Sequence, residues 1–157
     1  MKITVLCVGK IKERFMQDAL AEYAKRLFAY CDFEVIEVAD EKTLAGKESL
    51  AIGKEGERLL ARWPEGTHQY AAALCIDGRE RSSEQLAEWM ADKMDRGVSH
   101  LIFVIGGSLG LAPEVVRRAD EKISFSKLTF PHQLMRVILA EQIYRCFRII
   151  KGEPYHK

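Results

Sequence analysis

The residues that could do chemistry gather in the last third of the chain. Ile105-Gly-Gly-Ser-Leu-Gly110 is a Gly-rich loop directly after an apolar run. Glycines allow a backbone to approach a ligand closely and to take up positive φ without steric penalty. No Gly-Lys-Ser/Thr follows, so the loop is not a P-loop, and it lacks the spacing and first-strand position of a dinucleotide fingerprint. Taken alone it reads as a ligand loop or as a tight strand-to-helix turn. Ser124-Phe-Ser-Lys-Leu-Thr-Phe-Pro-His132 sets small hydroxyls and aromatics ahead of a proline. Such a segment offers backbone donors and an apolar wall to a ligand, or forms an edge strand with a helix cap.

Further on, Arg145 and Arg148 are three apart and share a helix face, whereas Arg136 lies two and a half turns earlier and points elsewhere. The chain ends in Glu153-Pro-Tyr-His-Lys157. Termini are usually polar and loosely ordered, yet Tyr can stack on a base, His can move a proton near neutral pH and Lys can hold phosphate. Residues 123–157 carry six Lys/Arg against two acids, a net +4 within a chain of net +1, which leaves −3 for residues 1–122. A basic end favours a phosphate-rich partner through counterion release; a solvated helix face has the same charge. Four Cys and four His are scattered without zinc spacing or C-x-x-C pairs, so neither a metal site nor a disulfide framework is expected. No secretory signal or membrane span is legible, and the expected compartment is cytoplasmic.

The elements that must position these residues follow from periodicity. Ile3–Val8, Tyr70–Ile76 and Leu101–Ile105 are continuous apolar runs that read as buried strands, the second stopped by Asp77-Gly78. Phe33–Val38 and Ile123–Phe130 alternate, predicting two more. Helical spacing predicts helices over 12–29, 47–62 and from about Gln133 to Ile150, and Pro113 opens a short one to about Ala119. Ser82 with Gln85 three residues on is a capping-box signature for a helix ending before Gly97. Strands alternating with helices, apolar on both faces, predict an α/β fold: a mainly parallel sheet with helices on both faces, in one domain over 1–157. The apolar band around the last helix is wider than one core-facing stripe, which fits either a deep core position or burial against both the sheet and a second subunit.

As an ordered set these segments resemble the RlmH (formerly YbeA) family of SPOUT methyltransferases. The resemblance rests on Val8-Gly9-Lys10, Lys54-Glu55-Gly56-Glu57, Leu74 to Gly78, Phe103 to Leu111, Ser124 to His132, Arg136-Val137, Glu141-Gln-Ile-Tyr-Arg145 and the ending Pro154-Tyr-His-Lys157. Cys75 and Leu109 depart from the residues common in relatives. The resemblance implies a C-terminal trefoil knot, one of the exceptions to unknotted chains. It implies transfer of the methyl group of S-adenosylmethionine, without metal, to N3 of a pseudouridine of 23S rRNA in the assembled 70S ribosome. By position, it implies cofactor contacts from Leu74, Gly106, Gly107, Ser126, Lys127, Leu128, Thr129, Phe130 and Pro131. Arg145, Tyr155 and His156 fall near the target base, in a homodimer whose tail comes from the partner subunit. A non-catalytic RNA-binding protein and a nucleotide-dependent enzyme are the alternatives that cofactor binding distinguishes.

Overall fold

A computed structural model describes residues 1–157. Five strands form one sheet: β1 (Lys2–Val8), β2 (Asp32–Val38), β3 (Gln69–Glu80), β4 (His100–Ile105) and β5 (Glu121–Ser124), in the order β2-β1-β4-β3-β5. Every pairing is parallel. Five helices connect them: α1 (Arg14–Leu27), α2 (Glu48–Ala61), α3 (Ser83–Asp95), α4 (Pro113–Arg118) and α5 (His132–Ile150). β4 is central, and its side chains alternate between two cores. Leu101, Phe103 and Ile105 join Ile3, Val5 and Cys7 under α1, α3 and α5. Ile102 and Val104 join Leu6 and Val8 under α2 and α4. Burial on both faces explains why the strands read as unbroken apolar runs.

Local chemistry places the helix ends. Ser82 Oγ accepts from Gln85 N–H while the Gln85 side chain accepts from Ser82 N–H, completing the expected capping box. Pro113 occupies the first turn of α4, where its missing N–H costs nothing.

Two strand expectations are corrected. β3 runs on through Asp77-Gly78 to Glu80, with a register shift against β5 between Leu74 and Arg79. Gly78 is the reason: a Cβ there would collide with the backbone of Ile123, so a residue read as a stop lets two strands pass closely. Conversely, β5 ends at Ser124, and Phe125–Pro131 is a loop. Ser124 Oγ donates to Ser126 O and Ser126 Oγ accepts from Leu128 N–H, turns that compete with a ladder.

Candidate active site

β1 leads outward to β2, while β4 leads to β5 on the opposite side of the sheet. Where such exits diverge, the carboxyl edge of an open α/β sheet is left with a crevice. Beside that point, on the β3 side of β4, lies a cleft of about 1020 Å³ built from the exits of β3, β4 and β5 and the start of α5. Leu74, Gly106, Gly107, Ser126, Leu128, Thr129, Phe130 and Pro131 all line it. Lys127 sits exposed between its neighbours and is not part of the lining.

The glycine loop is held tightly. A Cβ on Gly106 would stand 2.5 Å from the Gly110 carbonyl carbon, and one on Gly107 2.8 Å from Glu55 Oε2 and 3.2 Å from Val8 Cγ1. Side chains at these positions would push the loop off its seat. Glu55 is buried, accepts from Glu41 N–H at 2.9 Å, and burial raises its pKa above the ordinary carboxylate range. Apolar walls (Leu74, Phe125, Phe130) facing backbone amides and small hydroxyls suit a ligand with an adenine face and a polar chain, so the residues present fit S-adenosylmethionine.

Arg145, Tyr155 and His156 lie outside this cleft, gathered around Glu141. Arg145 gives Nε and Nη2 to Glu141 Oε1 at 3.0 and 2.5 Å, and its guanidinium stands 4.8 Å from the centre of the Tyr155 ring. Tyr155 Oη donates to Glu141 Oε1 at 3.2 Å. The His156 ring meets Arg145 Nη1 at 3.2 Å through Nδ1 and Glu84 Oε1 at 2.6 Å through Nε2. Burial, with the hydrogen bond to Tyr23 and the Glu141 charge, pushes the Tyr155 phenol up to about 12, so it donates rather than accepts protons at neutral pH. The tail is therefore folded on its own α5 and α3, with Tyr155 edge-on to Tyr144 at 4.9 Å.

Four participants escaped the residue-by-residue reading. Glu84 is an acid in the first turn of α3 without a local signal of its own, and only the folded tail brings it to His156. Glu141 precedes Arg145 by four residues, a spacing that forecasts an ion pair. Glu55 beneath Gly107 and His132 in the cleft wall gave no local signal.

An all-parallel sheet with a glycine-seated cleft at its carboxyl edge defines a ligand-binding α/β protein, and the family can be stated. A family model described as "Predicted SPOUT methyltransferase" matches residues 1–156, and the chain belongs to that family. It is similar over its full length, and theirs, to proteins named ribosomal RNA large subunit methyltransferase H: 53% identical to that of Exiguobacterium sibiricum, 55% to that of Bifidobacterium animalis subsp. lactis, and 52% to that of Clostridium novyi.

Proposed function

We propose that this protein transfers the methyl group of S-adenosylmethionine to N3 of a pseudouridine in 23S rRNA, on the assembled ribosome in the cytoplasm. Full-length relatives at about half identity, named for large-subunit rRNA methylation, support the substrate class. The observation that carries the cofactor assignment is the cleft, whose lining includes eight of the nine residues expected at the cofactor. In this reading residues 1–157 are one methyltransferase domain with a C-terminal trefoil knot. The match to the SPOUT family model over residues 1–156 supports that threading.

When bound, the sulfonium cofactor supplies an electrophilic methyl group; the chain supplies position, charge and proton handling. Backbone groups of Gly106, Gly107 and the loop 126–131 hold the donor, so that orientation carries much of the acceleration. Arg145, kept cationic by Glu141, stabilises the imidate anion of the target base. Tyr155 offers a stacking ring, and His156 joins it at the base.

The trio lies off its own chain's cleft, which supports a homodimer in which each tail completes the partner's site. The outer face of α5 points the same way: Leu134, Val137 and Ile138, half-exposed in the single chain, share it with Glu141 and Arg145. Leu128 (70% exposed) and Ile76 (58% exposed) leave the cleft rim apolar as well. No helix is long and apolar enough to cross a membrane.

Methyl transfer from labelled cofactor to ribosomes with and without the target pseudouridine tests the proposal. Label is expected only where the pseudouridine is present. A protein that binds RNA but shows no calorimetric cofactor binding and transfers no label overturns it.

A further inference from the structure

The chain has four histidines, and one of them stands free at the cleft. His68 is exposed in the loop before β3. His100 is buried between Thr4 Oγ1 at 2.7 Å and Gln69 Nε2 at 3.5 Å. His156 has both ring nitrogens within hydrogen-bond distance of partners in the chain, Arg145 Nη1 and Glu84 Oε1. His132 lines the cleft at the first turn of α5, and neither of its ring nitrogens has a hydrogen-bond partner within the chain.

The surroundings of His132 are built rather than incidental. Its Nε2 would be 3.3 Å from a Cβ on Gly9, whose φ of +82° favours glycine, so the exit of β1 is shaped to leave the ring its space. One turn further along α5, Arg136 is 0% exposed and gives Nη1 to Glu37 Oε1 at 2.9 Å and Nη2 to Val8 O at 2.5 Å. A fixed cation thus stands behind the imidazole, balanced by Glu37 from β2, with Asp40 facing from the exit of β2. Burial and the Arg136 charge lower the His132 pKa below the ordinary histidine value, against a weaker opposing pull from Asp40. The ring is neutral at pH 7 and carries one acceptor nitrogen. The other titratable side chains of the cleft are committed. Asp77 is paired with Lys122 at 2.5 Å, Arg117 is turned to Glu114 at 3.6 Å, and burial keeps the Cys75 thiol protonated.

We propose that His132 is a catalytic residue of the methyl transfer, accepting on the non-protonated nitrogen of its unpartnered ring the imide proton of the target base. The inference rests on the methyltransferase reading. The imide N–H proton passes to the imidazole. The electron pair left on the base nitrogen forms the new N–C bond as the carbon–sulfur bond of the donor breaks, its pair staying on sulfur. The resulting imidazolium is repelled by Arg136 and releases its proton to water through the open cleft, restoring the neutral ring. Arg145 and the tail then position the base and stabilise its anion, and His132 takes the proton.

His132→Ala should lower the single-turnover methylation rate by about 10²- to 10⁴-fold, the range for loss of a positioned base. The residual rate should climb with pH as the imide ionises unaided, and added imidazole should restore part of it. Calorimetric affinity for S-adenosylhomocysteine should be unchanged. In the ligand-free protein, imidazole ¹⁵N NMR should show His132 neutral at pH 7 and titrating below the ordinary histidine pKa. An unaltered rate with an unaltered acid limb in His132→Ala overturns the proposal, as does a rate loss wholly matched by lost cofactor affinity. If the alanine variant fails to fold, His132→Gln decides by the same readouts. Failure of the underlying reading looks different, since the unsubstituted protein would then transfer no label at all.

Discussion

At the scale of single residues, the site depends on charges held in place by other charges. Glu84 is fixed by its own backbone amide and the Ser82 hydroxyl at the start of α3, with His156 beyond, and together they pull its pKa down to about 2. Because the folded value is depressed, its hold on the tail is complete above the unfolded carboxylate pKa of about 4.3. That hold weakens as pH falls through the window from there to about 2. Carboxypeptidase trimming of Tyr155–Lys157 should accelerate across that window, and Glu84→Ala should show the fast rate already at pH 7 with cofactor affinity intact. A tail equally resistant in the variant would remove the anchor. Arg136 is the opposite case, a wholly buried cation paired to Glu37. Arg136→Ala leaves that carboxylate uncompensated and should destabilise the fold by about 3 kcal/mol or more, read by denaturant titration.

At the scale of elements, the segment between β5 and α5 shapes the cleft proposed for the cofactor. Its alternation of apolar and polar residues mimics a strand, but two serine hydroxyls capture the backbone first and turn it toward the cleft. Ser126→Ala removes the acceptor for Leu128 N–H and should cost about 1 kcal/mol of loop order, a roughly fivefold loss of cofactor affinity by calorimetry with little change in melting temperature. The glycine loop is less forgiving. A methyl group at Gly107 enters the space of the Glu55 carboxylate and Val8, so Gly107→Ala should destabilise by about 1–3 kcal/mol and weaken cofactor binding further than Ser126→Ala does. Equal affinities for the two variants would show that the loop's seat on Glu55 is irrelevant to binding.

At the scale of the whole molecule, the two halves of the proposed site lie apart on one chain. The cofactor cleft lies at the carboxyl edge of β3, β4 and β5, and the Arg145–Tyr155–His156 cluster is folded against α5 and α3. A chain lacking Tyr155–Lys157 should bind cofactor normally and methylate nothing. Mixed with a Gly107→Ala chain that keeps its tail, it should regain part of the activity through hybrid dimers. No recovery in the mixture would argue that each subunit works alone. With only +4 on the basic end, naked RNA should be a poor substrate relative to ribosomes, a difference measurable as methyl incorporation at equal RNA concentration.

Much of this protein was decided by sequence periodicity alone. The apolar runs of β1 and β4, the helical spacing of α1 and α5, the Ser82–Gln85 cap and Pro113 are local signals, because each element is specified by residues within a few turns of one another. The ordered motifs also made the family legible, and the residues expected at the cofactor, Lys127 excepted, line one cleft. Tertiary structure decided what depends on chain segments far apart. Gly78 has the local character of a terminator, yet β5 packs against it, and Ile123–Phe130 alternates like a strand, yet the hydroxyls of Ser124 and Ser126 turn the part beyond Ser124 into a loop. His132 was one more polar residue after a proline, and Glu84 one more acid on a helix. Their roles come from Gly9 and Arg136 around the first and His156 against the second, contacts whose partners lie up to 123 residues away along the chain and leave no local pattern to read.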